Sequence, residues 1–114
     1  MTNEDLVTYG EGLGHKVEAL DLGPQGKWIM LPDFPITTGS LAGQRRDLAI
    51  QWSPQVPYVP PSAIQVRPGV VPMGTHNAQQ SPLGEGWQYL SRLLRGQSTP
   101  QAWFVHINTI FSEF

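Results

Sequence analysis

Two adjacent polar residues, His76 and Asn77, carry the side chains of this sequence that are best suited to chemistry. They lie in residues 68–86, a stretch without periodicity, and so long an irregular segment is often functional. An imidazole can act as a general base and an amide can stabilise an oxyanion, while Ser81, Thr75 or His76 itself can accept an acyl group. The alternative is that His76 and Asn77 are solvated loop residues or a local cap of the backbone. The sequence leaves both interpretations open.

The absence of cysteine removes several kinds of chemistry. With no cysteine in 114 residues, the chain has no thiol nucleophile, no disulfide and no zinc thiolate site. His15 and His106 have no partner at the spacing of metal ligands, and the glycine-rich residues 10–14 follow no strand. We therefore expect neither a metal nor a cofactor.

Charge and hydropathy narrow the range of partners. The net charge is −2 and only 14% of the residues are charged, so no basic face is available to neutralise phosphates and nucleic acid is not expected as a partner. There is no apolar run near the length of a membrane span and no signal peptide, which predicts a cytoplasmic protein with no membrane contact. The length predicts one domain, residues 1–114.

The elements that must position the candidate residues begin with a short helix within residues 1–16. Thr2 or Asn3 caps it, and Gly10, Gly12 and Gly14 are predicted to end it. Strands are predicted at residues 17–20, 28–31, 46–51 and 63–66, from alternating apolar residues between turn signals, with a polar loop at 37–44. Consecutive strands with short turns predict an antiparallel meander.

Two helices are predicted after the irregular stretch. Trp87, Leu90 and Leu94 recur at helical spacing, and Gly96 ends this helix. The last helix starts at Thr99, a capping residue before a proline, and its apolar stripe consists of Trp103, Ile107, Ile110, Phe111 and Phe114. The predicted fold class is α+β, a four-stranded antiparallel meander with helices packed on one face.

A proline-rich segment joins the third and fourth predicted strands. Pro54, Pro57, Pro60 and Pro61 surround Tyr58. Each proline fixes its own φ and restrains the residue before it, so the segment is too stiff and too poor in donors to lie inside a sheet. It therefore forms a rigid connection that orders one strand against the next at little entropic cost.

This meander resembles the ubiquitin-conjugating enzyme fold, and more narrowly the prokaryotic ubiquitin-conjugating-enzyme-like family E. The motifs that carry the resemblance are P-x-x-P-Y-x-P-P at residues 54–61, L-P-D-F-P at 31–35, D-L-x-I at 47–50, G-x-x-W-Q-x-x-S-R at 84–92, and a last helix containing Trp103. The sequence departs from the family pattern at Leu93, where a histidine is expected, and at Phe104, where an arginine-proline pair is expected.

The resemblance implies a place in a bacterial ubiquitin-like protein conjugation pathway. The implied partners are a ubiquitin-like protein and a ThiF-type activating enzyme, often with a JAB-type protease. Ubiquitin-conjugating enzymes carry the modifier on a cysteine that follows an H-P-N motif, and here His76 and Asn77 lie in the corresponding loop without any cysteine after them. The implied role is therefore a non-thioester transfer, with His76, Asn77 and Ser81 as candidate catalytic residues, or an adaptor. A structural or assembly protein with no ubiquitin-related activity is the alternative.

Overall fold

The computed structural model describes residues 1–54, 58–59, 61–94 and 98–114 of the chain. The elements are α1 (Asn3–Gly12), β1 (Glu18–Asp21), β2 (Lys27–Pro35), β3 (Arg45–Gln51), β4 (Ala63–Arg67), β5 (Ala78–Gln80), β6 (Gln88–Ser91) and α2 (Pro100–Phe111), with one 3-10 turn at Gly23–Gln25. The predicted α+β class is confirmed.

The strands form one open antiparallel sheet in the order β1-β2-β3-β4-β6-β5. The first four strands are the predicted meander, and their positions match the prediction closely except that β2 extends to Pro35 through a register shift between Leu31 and Phe34. The predicted strand number is wrong. β6 adds to β4, and β5, inside the stretch predicted to be irregular, adds to β6.

The helix predicted from Trp87 onward is also wrong, because this segment is β6. Gln88 and Leu90 are both buried while Tyr89 between them is half-buried, which is the two-residue period of a strand. Backbone pairing on both sides, to β4 and to β5, outweighs the helical spacing of the apolar residues. The predicted helix end at Gly96, and Arg95 before it, lie outside the described residues.

The main core lies between the two helices and one face of the sheet. Across that face Leu31, Leu48 and Val66 stand side by side in register, and Trp103 and Phe111 of α2 pack among the same buried residues. The prediction that the helices cover one face is confirmed. Its physical basis is simple: the apolar stripe of α2 and the inward positions of the strands must bury each other.

The opposite face of the sheet has a small apolar cluster of its own. Trp28, Ala49 and Trp87 form it, and these positions alternate along the strands with the main-core positions. Residues 81–87, the connection from β5 to β6, lie over this face, where Gln25 Nε2 donates to the Pro82 carbonyl at 2.9 Å. The cluster therefore orders the end of the stretch that was predicted to be irregular.

Both helices begin at the predicted caps. Thr2 and Asp5 form a reciprocal capping box at α1, and the Thr99 hydroxyl accepts from the Ala102 N–H ahead of Pro100 at α2. The helix α1 ends at Gly12, within the glycine run that was predicted to end it, while Gly10 lies inside the helix. A β-carbon at Gly10 would lie 3.0 Å from the Phe104 ring, so this glycine permits the close approach of α1 to α2.

The proline-rich segment connects two strands that pair directly with each other. Asp47 lies opposite Arg67, and Leu48 opposite Val66. Just before the segment, the Asn3 side chain makes two hydrogen bonds to the backbone of Ser53. Asn3 Nδ2 donates to the Ser53 carbonyl at 2.9 Å, and the Ser53 N–H donates to Asn3 Oδ1 at 3.0 Å. Residues 55–57 and 60, which include Pro57 and Pro60, lie outside the described residues.

Tyr58 anchors this connection against α2. Its ring packs on the main core, and burial raises the pKa of its phenol to about 12, with the nearby Trp103 N–H opposing the rise to a lesser extent. Within the described part of the chain, neither the Tyr58 hydroxyl nor Trp103 Nε1 has a hydrogen-bond partner of ordinary geometry. The two groups are thus close in the core without being well paired.

Stability is expected to fall between pH 10 and about 12 because of Tyr58. Below pH 10 the phenol is protonated in both folded and unfolded chains; above it the unfolded chain ionises first, which favours unfolding. The loss should be about 1–2 kcal/mol after allowance for solvent screening. Urea unfolding of wild type and Tyr58→Phe from pH 9 to 12 measures it. The stability difference between the two should change over this range, and parallel curves would contradict the assignment.

Candidate functional site

His76 and Asn77 occupy the tip of a tight turn that leads into β5. Both residues have left-handed backbone angles, with φ of 52° and 58°, and the Ala78 N–H donates to the Thr75 carbonyl across them at 2.8 Å. Positive φ at both central positions is the geometry of a type I′ turn, which asparagine tolerates well and histidine less so. Both side chains are exposed, and the His76 ring meets Phe114 edge-on at 5.5 Å between centroids.

Ser81 is buried rather than displayed in this loop. Its hydroxyl donates to Gln65 Oε1 at 3.0 Å and accepts from the Leu83 N–H at 3.1 Å. Only 4% of Ser81 and 2% of Gln65 are exposed. Both hydrogen-bonding directions of the hydroxyl are thus engaged in holding residues 81–83 onto the second face of the sheet.

The hydroxyl of Thr75 is engaged as well, because it donates to the Pro72 carbonyl at 2.6 Å. In the described residues no hydrogen bond joins His76 to Ser81 or to Thr75. The structure therefore brings His76 and Asn77 together at one turn but does not bring a hydroxyl to the imidazole. Acyl transfer to either hydroxyl would first require its present hydrogen bond to break.

Replacing Ser81 by alanine is expected to destabilise the fold by about 1–3 kcal/mol, because the buried Gln65 amide and the half-buried Leu83 N–H each lose a partner. Chemical denaturation measures the change, with Ser40→Ala as the matched control since Ser40 is exposed. A loss as small as that of the control would show that the Ser81 hydroxyl is not structural and is free for another role.

A polar network missed at the sequence level crosses the start of β3. Asp47 accepts from the Asp33 N–H at 2.9 Å and pairs with Arg67 at 2.8 Å, and the Arg67 guanidinium lies 4.6 Å from the centre of the Trp87 ring. The Asp33 N–H first, and Arg67 next, hold the pKa of the Asp47 carboxyl below its usual value. The sequence alone does not reveal this network, because only the strand register places Asp47 opposite Arg67.

Exposed apolar side chains lie beside the proline-rich segment. Val59 and Leu93, 46% and 66% exposed, line one groove of about 300 Å³ together with Pro54 and Pro61. Leu93 also lines a second groove of about 430 Å³ on the other side, shared with Val105 of α2. Leu93 thus lines both grooves, the first of mixed polar and apolar character and the second mainly apolar, and exposed apolar surface of this kind is typical of binding sites.

Other kinds of site find no support among the described residues. No group of three or more histidine, aspartate and glutamate side chains in residues 1–54, 58–59, 61–94 and 98–114 is arranged to hold a metal ion. Neither described helix has the length and apolar character needed to cross a membrane. Comparisons with protein-family models, with curated proteins and with solved structures find no match for this chain.

Proposed function

We propose that this chain is a cysteine-free, ubiquitin-conjugating-enzyme-like adaptor in a bacterial ubiquitin-like protein conjugation pathway, where it binds the ubiquitin-like protein without forming a covalent adduct. One observation carries the proposal. The proline-rich segment connects two directly paired strands of an antiparallel meander, and Tyr58 within it packs on the core next to α2. This is the arrangement on which the sequence resemblance depends.

The engaged hydroxyls favour an adaptor over a transferase. A serine nucleophile needs a base within hydrogen-bond reach, but the Ser81 hydroxyl is directed to an amide oxygen and is buried. Asn77 is exposed at the turn tip, so it lacks the water-excluded surroundings in which an oxyanion-stabilising donor is most effective. Non-covalent binding demands neither arrangement.

The two grooves around Leu93 supply the surface that an adaptor needs. An exposed leucine flanked by Val59 on one side and Val105 on the other can act as a central anchor with apolar walls. Arg92, the residue before it, is fixed by a pair with Glu113 at 2.7 Å, which holds the adjoining backbone in place. The grooves are therefore assigned to the ubiquitin-like protein.

The test mixes the purified chain with a ubiquitin-like protein and a ThiF-type activating enzyme from the same organism, the partners that the resemblance implies, with and without ATP. An adaptor gives a complex that forms without ATP, with no adduct on denaturing gels. A thiol-resistant, hydroxylamine-sensitive adduct that disappears in Ser81→Ala or His76→Ala would overturn the adaptor role in favour of acyl transfer. The absence of both complex and adduct would remove the pathway assignment and leave a structural or assembly role.

Leu93→Asp is expected to weaken the binding of the ubiquitin-like protein about tenfold or more, because a charge replaces the apolar anchor. Calorimetry on the folded variant measures the change. Leu13→Asp is the matched control, since Leu13 is 51% exposed and lines neither groove. Equal loss in both variants would show that the effect comes from net charge, not from the grooves around Leu93.

A further inference from the structure

A cleft of about 530 Å³ lies between the segment that follows α1 and the irregular part of β2. It is separate from the turn at His76 and shares no residue with the grooves around Leu93. The apolar side chains of its walls are Leu13, Pro32 and Pro35. The charged or titratable side chains are His15, Lys16, Asp33 and Arg45. We name it the His15 cleft.

Two cationic side chains, Lys16 and Arg45, line the His15 cleft. Each cation has an exposed carboxylate partner, Asp33 for Arg45 at 3.3 Å and Glu18 for Lys16 at 3.2 Å. Exposed ion pairs are weak, so a ligand anion can compete for both cations. The carbonyls at the end of α1 would oppose an anion, but those of Tyr9, Gly10 and Glu11 already accept backbone N–H groups. These three carbonyls are therefore already engaged and do not compete with a ligand for the two cations.

Arg45 is held in place with part of its donor set still available. Its Nη1 donates to both the carbonyl and the carboxylate of Asp33, at 3.0 and 3.3 Å, whereas its Nε and Nη2 have no protein partner among the described residues. Asp33 itself adopts a left-handed φ of 55° and is fixed by its N–H bond to Asp47. A backbone conformation that is unfavourable for aspartate thus positions the guanidinium at the cleft.

His15 is similarly fixed. Its ring packs 4.7 Å from Phe34 and lies parallel to Phe104 at 5.7 Å between centroids, while neither ring nitrogen has a partner among the described residues. Burial lowers the pKa of this imidazole, which favours its neutral form, and a neutral imidazole still has one N–H to donate. A rigid, unoccupied donor beside two cations is the arrangement that a ligand oxygen would use.

We propose that the His15 cleft binds a small organic anion, whose anionic oxygens are bound by Arg45 and Lys16 and oriented by His15, and whose short apolar part packs on Leu13, Pro32 and Pro35. Arginine offers paired N–H groups suited to a carboxylate or a phosphate, and lysine adds a point charge. This inference does not depend on the proposed adaptor role, because its residues and its ligand are different.

The probes are acetate, butyrate, inorganic phosphate and butylamine, added to the full-length, isotope-labelled chain and followed by NMR. We expect the signals of residues 13–16 and 32–35 to shift with the anions, with butyrate binding more tightly than acetate because of the apolar wall. Dissociation constants should be on the order of millimolar for so open a site. A stronger response to phosphate than to butyrate would assign a phosphorylated ligand. Butylamine shifting the same signals equally would overturn the proposal.

Two variants that each remove one positive charge test whether Lys16 and Arg45 bind the anion. Lys16→Gln and Arg45→Gln should each weaken butyrate binding about tenfold, as expected for the loss of a charge-assisted hydrogen bond. Lys27→Gln, which removes a positive charge located over the Trp52 ring, is the control and should leave binding unchanged. Lys16 makes only a surface pair with Glu18, so its variant stays folded even if Arg45→Gln disturbs β2. Equal loss with Lys27→Gln, or no localised shifts with any anion, would overturn the site.

Discussion

Replacing Gly39 by alanine is expected to destabilise the fold by about 3–5 kcal/mol, the sum of backbone strain and overpacking. Gly39 has a φ of +73°, and a β-carbon there would overlap the Phe111 carbonyl oxygen and lie 2.7 Å from that of Phe114. Both obstacles are backbone atoms at the end of α2, so no side-chain rotation relieves them. A loss of this size is a large fraction of the stability of an ordinary domain.

The same loop offers a matched control at Gly43. This glycine also has a positive φ, +91°, but a β-carbon would meet nothing within 4 Å. Gly43→Ala should therefore cost only the conformational strain, about 1–2 kcal/mol. Urea unfolding of both variants separates the two contributions. Equal losses would show that the close approach at Gly39 is not the cause, and that the loop and α2 can move apart freely.

The contacts around Gly39 explain why this loop and the end of the chain depend on each other. The Thr38 hydroxyl donates to the Asn108 carbonyl at 2.7 Å, and the Ser40 N–H donates to the carbonyl of Phe114. The loop between β2 and β3 thus adds a second hydrogen bond to the Asn108 carbonyl, which already accepts from the Ser112 N–H, and it also binds the carbonyl of Phe114 beyond the helix. A variant that displaces this loop should weaken the last turn of α2 as well as the loop itself.

The parts of the fold that could be predicted from the sequence are those specified by local signals. The cap at Thr99 and the following proline locate α2, and the alternation around Leu48 and Ile64 locates β3 and β4 to within a residue. β5 has no such signal, since its three residues are one alanine and two glutamines, and it exists because β6 offers a partner. Pairing between distant segments is what local pattern does not reveal.

In the candidate site, too, some features could be predicted from the sequence and others could not. The position of His76 and Asn77 in a loop after β4 follows from the order of elements along the chain. The burial of Ser81 does not, because its partner Gln65 stands on β4 and comes into reach only when residues 81–87 cross the second face of the sheet. The conformation of Asp33 and the direction of Arg45 likewise depend on the register between β2 and β3. Tertiary contacts therefore decide which polar side chains remain available for binding.

Removal of the Gln88 side chain is expected to cause the second large loss of stability. This side chain holds the start of residues 68–86, the stretch that was predicted to be irregular. Its Oε1 accepts from the N–H of Val70 at 2.9 Å and of Val71 at 3.4 Å, while its Nε2 donates to the Val71 carbonyl at 2.6 Å. The residue is 2% exposed. One buried amide thus satisfies the backbone of two residues in a segment that has no strand partner of its own. A β-carbon at Gly69 would lie 3.2 Å from this amide, so the backbone at Gly69 packs closely against the Gln88 side chain.

Gln88→Ala should destabilise the fold by about 2–4 kcal/mol, because it leaves half-buried backbone groups of Val70 and Val71 unpaired and also opens a cavity where the buried side chain was. Gln80, which stands opposite Gln88 in the β5–β6 pair, is exposed and supplies the control, with Gln80→Ala expected within about 0.5 kcal/mol of wild type. Hydrogen exchange adds a local measurement. The amides of Val70 and Val71 should lose protection in Gln88→Ala before the β3 and β4 amides do. Unchanged protection at Val70 and Val71 would show that the segment is held by something other than this side chain.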